Sequence, residues 1–294
     1  MAIRPLEERL QESRPLLLDG ATGTELNRRG VDTRLPLWSA RALVEATGVL
    51  GGIHRDYVDA GADILTANTF RTHRRNLAHA GWGGRACELT RRAVEIARSA
   101  ADGRAWVVGS QPPLEDCYLP DLVPGDAELD HEHGEMSRNL AAAGVDAILV
   151  ETQNTIREAV AAVQAARQTA LPLLVSFVCG VDGRLLSGES LGDAAKTVQP
   201  FAPLAILVNC VPADAALSML RELRNAVTPV PIGGYANIGR SDPQQGWINT
   251  DARDPDCYAA YADSWLRAGA RIIGGCCGTT PAHIRRLRAL IDGR

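Results

Sequence analysis

The stretch RIIGGCCGTTPAHIRRL, residues 271–287, ends an apolar run on two glycines, sets Cys276 and Cys277 side by side, and turns through Gly278 and Pro281 into a basic helix. Seven cysteines, an odd count with two adjacent, argue against a disulfide framework and for reduced thiols. Successive strand residues point to opposite faces, so two neighbouring thiols reach one ion only where the backbone turns; Gly274, Gly275 and Gly278 supply that freedom. A third thiol, Cys210, closes the run LAILVNC, although alone it reads as a small buried hydrophobe. Three thiolates suit zinc, and three protein ligands leave a fourth position open for substrate. Such a centre is already anionic, a poor Lewis acid for hydrolysis but a fit host for a fourth sulfur. A coordinated thiol is deprotonated outright, which makes it a nucleophile toward an alkyl group.

Positioning these groups requires a repeated scaffold. Eight short β-rich runs recur: PLLLDG, ADILTANTF, AWVVGSQPP, DAILVETQN, LPLLVSFVCG, LAILVNC, VPIGGYAN and ARIIGGCC. Segments with helical spacing separate them, such as GGRACELTRRAVEIARSAA and TIREAVAAVQAARQTA. Eight such units predict an α/β fold, a (β/α)8 TIM barrel forming one domain over residues 1–294, with an open doubly wound sheet as the competing architecture. The repeated AGA and AGV before strands predict glycine helix ends that turn tightly into the next strand. Asp19, Asn68, Glu151, Cys210, Cys276 and Cys277 all fall at C-terminal strand ends, which a barrel brings to one mouth.

Other residues read as scaffold. The formal charge of −4 and the short basic pairs Arg74-Arg75, Arg91-Arg92 and Arg285-Arg286 predict solvated helix faces and no nucleic-acid partner. A charged N-terminus without the apolar core of a signal peptide, and no run of about 18 apolar residues, predict a cytoplasmic protein with no membrane partner. Cys87, Cys117, Cys179 and Cys257 read as structural. His131 and His133 splay apart on a helix, and His283 is expected to face solvent.

The segments LLLDGATGTEL, GADILTANTF, AAAGVDAILVETQN, SFVCGVDGRLLSGESL, LVNC and GARIIGGCCGTTPAHI resemble, in order and spacing, the zinc-dependent homocysteine S-methyltransferase family. That family includes S-methylmethionine- and betaine-homocysteine methyltransferases and the homocysteine module of cobalamin-dependent methionine synthase. The resemblance runs from about Leu16 to Leu287. It implies a (β/α)8 barrel with zinc held by Cys210, Cys276 and Cys277. It also implies Asp19 and Glu151 as the catalytic, substrate-contacting acids, Glu151 taking the homocysteine amino group. Asn68 and Thr69 are expected to orient substrate, with Asn209 and Asn237 weaker candidates; amides of the Gly20–Gly23 turn are expected to cradle its carboxylate.

The donor half is less defined. RLPLWSARAL resembles the LWSA stretch of the S-methylmethionine users, and Trp38 offers an aromatic face to an onium methyl. GGYANIGRSDPQQGW departs from the YPNSGE-like segment of that branch at Ala236, Ile238 and Arg240, and a cation at Arg240 would oppose a cationic donor unless it points away. NTFRTHRRNL is closer to the methionine-synthase module, yet the chain stops soon after the eighth unit. The expectation is a monomer or small homo-oligomer that takes small-molecule substrates, homocysteine and an onium donor, with S-methylmethionine or S-adenosylmethionine favoured. Betaine, a folate or a corrinoid protein are the alternative donors. A non-catalytic zinc or thiol sensor is the competing class, disfavoured because a sensor has no use for carboxylates beside an open zinc position.

Overall fold

Parallel strands that alternate with helices bury both faces of the sheet, and the computed structural model, which describes residues 4–242 and 246–294, realises this as a closed barrel. The barrel strands are β1 (Leu16–Leu17), β2 (Ile64–Ala67), β3 (Trp106–Gln111), β4 (Ala147–Gln153), β5 (Leu173–Phe177), β6 (Ala205–Pro212) and β7 (Ile232–Asn237). After a hairpin of β8 (Gly239–Asp242) and β9 (Gly246–Asn249) comes the last, β10 (Ala270–Gly275). Their order is β1-β10-β7-β6-β5-β4-β3-β2, every neighbour parallel. A bridge between Leu18 and Ile64 closes the ring, with the Asp19 amide donating to the Ile64 carbonyl at 3.0 Å; an open sheet would have no such contact.

Period-two alternation divides the strands between two cores. Outward residues such as Leu65, Val107, Ile148, Val175 and Val208 pack under the helices, while Leu16, Ile64, Trp106, Leu149, Leu174, Leu207 and Ile272 fill the barrel. Helix ends follow the predicted signals: Gly61, Gly144 and Gly269, the glycines of AGA and AGV, hold φ of 99°, 80° and 98°. No helix among the described residues is long and apolar enough to cross a membrane.

One feature departs from the sequence reading and two add to it. The segment after β7 forms the β8–β9 hairpin; residues 243–245 of its GRSDPQQGW stretch lie outside the described residues. His283 does not face solvent. It is the third residue of the helix Pro281–Asp292, where its Nδ1 lies 3.0 Å from the Thr280 hydroxyl and its buried ring meets Tyr258 edge-on. His133 is also buried, bonded to Gln111 at 3.3 Å and Glu158 at 3.2 Å.

Candidate active site

The three thiols converge because the backbone is bent at each of them. β6 is bulged between Asn209 and Pro212, and Cys210 there adopts φ 54°, a left-handed conformation costly for a side chain with a Cβ. The bulge breaks the alternation and re-aims the sulfur. Past β10, Cys276 is fixed by its amide to the Ala236 carbonyl at 2.8 Å and Cys277 by its amide to the Asn237 side-chain oxygen at 2.9 Å; Gly278 then turns the chain at φ 83°. The Tyr258 hydroxyl, fully buried, accepts from the Ala236 amide and sits 2.9 and 2.8 Å from the carbonyls of Ala236 and Gly274, clamping the ends of β7 and β10 together.

The three sulfurs lie within 4.8 Å of one another, with Cys210 and Cys276 at 2.8 Å. Among the described residues no other group of three His, Cys, Asp or Glu side chains is placed to share an ion. Hydrogen bonds with Cys276 and Cys277, then burial, push the Cys210 thiol up, while hydrogen bonds with Cys210 and Cys276 hold Cys277 low, so without a cation the cluster favours one thiolate. A divalent ion removes that conflict, and tetrahedral sulfur ligands about 2.3 Å from zinc stand about 3.8 Å apart, a spacing this cluster can adopt. The residues fit a zinc site with one open position.

Two buried carboxylates face the same cavity, of roughly 370 Å³. Glu151 accepts from the Ser110 hydroxyl and, at 2.9 Å, from the Tyr235 hydroxyl. Asp19 accepts from the Thr66 amide at 2.9 Å and its hydroxyl at 3.1 Å. All these donors are neutral. Burial therefore raises both carboxyls, Asp19 to about 8 and Glu151 also upward, with Ser110 and Tyr235 opposing the shift at Glu151. A cation arriving in the cavity would be held by groups that lack one.

The remaining expected residues divide. Asn68 and Trp38 line the cavity; Asn68 also donates to the Ser39 carbonyl at 2.8 Å, and Trp38, at φ 46°, meets Phe70 edge-on with centroids 5.7 Å apart. Thr69 does not reach the cavity wall: its hydroxyl donates to the Ser110 carbonyl at 2.8 Å. Asn209 is consumed by Thr152 and Ser176, which keeps the bulge at Thr152, φ 59°, in register. Arg240 is exposed and not part of the described cavity wall. The DGATGT turn lines the cavity, and its glycines also permit close approach. A Cβ on Gly20 would meet the Tyr57 ring at 2.7 Å and one on Gly23 the Trp38 ring at 2.2 Å, while the Ala21 amide and the Thr24 hydroxyl bond the loop after β10. Ser110 and Tyr235 escaped the sequence reading, although strand alternation from Glu151 and Trp106 would have turned Ser110 inward. Tyr118, on the loop after β3, lines the cavity.

A sequence profile of homocysteine S-methyltransferases matches residues 16–291, nearly the whole chain. The chain belongs to the homocysteine S-methyltransferase family. Homocysteine S-methyltransferase 2 of Arabidopsis thaliana is 28% identical, covering 95% of this chain and 93% of its own. Methionine synthase of Mycobacterium tuberculosis is 30% identical over 95% of this chain but only 25% of its own length. Among solved structures, the homocysteine methyltransferase MmuM from Escherichia coli in its metallated form superposes with a TM-score of 0.85 at 28% identity, covering 97% of this chain and 99% of that one. Methyl transfer to homocysteine is the reaction of this family, and the three-cysteine cluster is the place in this member where a metal can bind.

Proposed function

We propose that residues 1–294 act as one homocysteine-binding barrel that moves a methyl group from a small onium donor, S-methylmethionine or S-adenosylmethionine favoured, to the sulfur of homocysteine held at zinc by Cys210, Cys276 and Cys277. The observation that carries this reading is the convergence of three thiols and two cation-free carboxylates on one cavity. Zinc, when bound, keeps the homocysteine sulfur ionised at neutral pH.

The chain's own residues do the rest. Glu151, its two oxygens aimed by Ser110 and Tyr235, receives the homocysteine ammonium and so fixes the sulfur relative to the thiol cluster. Asp19, held by Thr66 just past β1, adds a second carboxyl group that can ionise against a bound cation, and Asn68 supplies a polar edge. The Trp38–Phe70 corner presents an aromatic wall to the donor cation. The homocysteine sulfur attacks the methyl carbon in line with the donor's leaving sulfur or nitrogen; one S–C bond forms as the donor bond breaks, and the leaving atom keeps the electron pair. Since the nucleophile is already ionised, no general base is required at the sulfur, and orientation with desolvation supplies the acceleration.

The test is methionine formation, read by mass spectrometry, from zinc-loaded protein and homocysteine with S-methylmethionine, S-adenosylmethionine and betaine supplied separately. Methionine from a sulfonium donor supports the reading. Turnover with betaine alone, or only with a folate or a corrinoid protein, would replace the donor, and zinc-loaded protein on which homocysteine leaves the metal unperturbed would refute the acceptor half as well.

A further inference from the structure

We propose that Arg71 is the anchor for a carboxylate on the methyl donor, so that this enzyme selects onium donors that carry their own carboxylate. The inference rests on the functional reading above and narrows its donor class. Arg71 follows β2 at the barrel mouth and is the one basic side chain among the described residues of the cavity wall. Its guanidinium is incompletely used. Nη1 donates to the Asn76 side-chain oxygen at 3.1 Å, and Asn76 returns a bond to the Arg71 carbonyl at 3.1 Å, which fixes the side chain without neutralising it. Nε is buried with no partner among the described residues. An unpaired buried donor on a cation is costly, and a small rotation of the guanidinium toward the cavity offers a carboxylate the Nε–Nη2 edge, which fits it bidentately.

Placement assigns this group to the donor. The guanidinium carbon lies 5.6 Å from the centre of the Phe70 ring, and Phe70 meets Trp38, so cation and aromatic corner form one wall. Glu151, which takes the acceptor's ammonium in this reading, lies on β4, two strands from β2, which leads to Arg71. The other acidic group at the rim, Asp116, is turned into the Tyr118 amide at 2.9 Å and makes no ion pair with Arg71. A bare onium against this wall meets a guanidinium of its own sign. A donor that brings a carboxylate cancels that repulsion and gains charge-assisted hydrogen bonds, so Arg71 both attracts one class and repels the other. Arg71 is here a binding residue, with no part in breaking the S–C bond.

The test compares Arg71→Gln and Arg71→Lys with the unaltered protein, all zinc-loaded, using S-methylmethionine and the carboxylate-free trimethylsulfonium ion as donors. R71Q is expected to raise KM for S-methylmethionine about tenfold or more while kcat changes little. The homocysteine KM should hold, and KM for trimethylsulfonium should fall or stay. R71K, which keeps charge but loses the fork, should lie between, and calorimetric binding of S-methylmethionine should weaken in parallel. Equal losses with both donors, or a raised homocysteine KM, would overturn the assignment and leave the methyltransferase reading standing. Failure of the unaltered protein to form methionine from any onium donor would overturn that reading and this assignment together.

Discussion

On β3 the inward positions run Trp106, Val108, Ser110, and on β4 they run Ala147, Leu149, Glu151; the same face of the same strands is packing at one end of the barrel and polar at the other. Strands β5 and β6 repeat the gradient, from Leu174 to Ser176 and from Leu207 to Asn209. The lower end is closed by the helix Leu6–Gln11, with Leu6 and Leu10 in the barrel core and the Trp106 indole donating to the Arg4 carbonyl at 2.8 Å. At the upper end the alternation breaks at Thr152 and Cys210, both in left-handed conformations. Regular strands suffice to fill a barrel, whereas bringing thiols from β6 and β10 to one point requires strand ends to leave the ladder. Among the described strand residues, the left-handed non-glycine conformations, Thr152 and Cys210, fall at the upper end, on strands held by the packed lower one.

That contrast is open to attack at either end, and the largest effect belongs to the upper one. Cys277→Ser should lose its zinc and essentially all methyl transfer, as measured by metal stoichiometry and methionine formation; a variant that keeps a full zinc complement would remove Cys277 from the site. Glu151→Gln should keep zinc but lose about 100-fold or more in kcat/KM for homocysteine, as expected when a buried ion pair loses one partner. Unchanged homocysteine kinetics would show that the ammonium binds elsewhere. At the lower end, Leu149→Ala should cost about 2–5 kcal/mol of stability in denaturant melts, with the homocysteine KM unmoved. A kinetic defect comparable to that of Glu151→Gln would mean that the two ends are not separable.

The last expected effect is a pH dependence. Asp19, with an ordinary value of 3.8, is pushed up to about 8 by burial, so the folded protein binds its proton more tightly than the unfolded chain does. Stability of the metal-free protein should therefore decline as pH rises between about 4 and 8, and Glu151, also raised by burial, adds to the same slope. Asp19→Asn should flatten that decline in thermal melts. A difference between the two proteins that is constant across this window would show that Asp19 titrates normally.

Much of the scaffold was legible because it depends on local signals: apolar runs of strand length, helical spacing between them, and glycines that end helices at Gly61, Gly144 and Gly269. The Cys276-Cys277 pair was legible for the same reason, since adjacent thiols among glycines announce a turn. What escaped depends on barrel closure. Nothing around Cys210 marks a non-glycine residue in a left-handed bulge, and nothing in NTFRTH says that Thr69 is consumed by Ser110 while Phe70 and Arg71, its neighbours, reach the cavity. His283 was misread because a basic helix face suggests solvent, whereas its helix start tucks against Tyr258. The DGATGT turn lines the cavity, but nothing in its sequence announces that Tyr57 and Trp38 pack against Gly20 and Gly23.

The central claim, that the three thiols hold zinc with a position kept for the sulfur of homocysteine, is tested most directly by X-ray absorption at the zinc edge, before and after homocysteine is added to zinc-loaded protein. The account predicts three sulfur neighbours and one lighter atom at first, then four sulfurs at about 2.3 Å. A first shell that homocysteine does not change, or one that already holds four sulfurs, would contradict it.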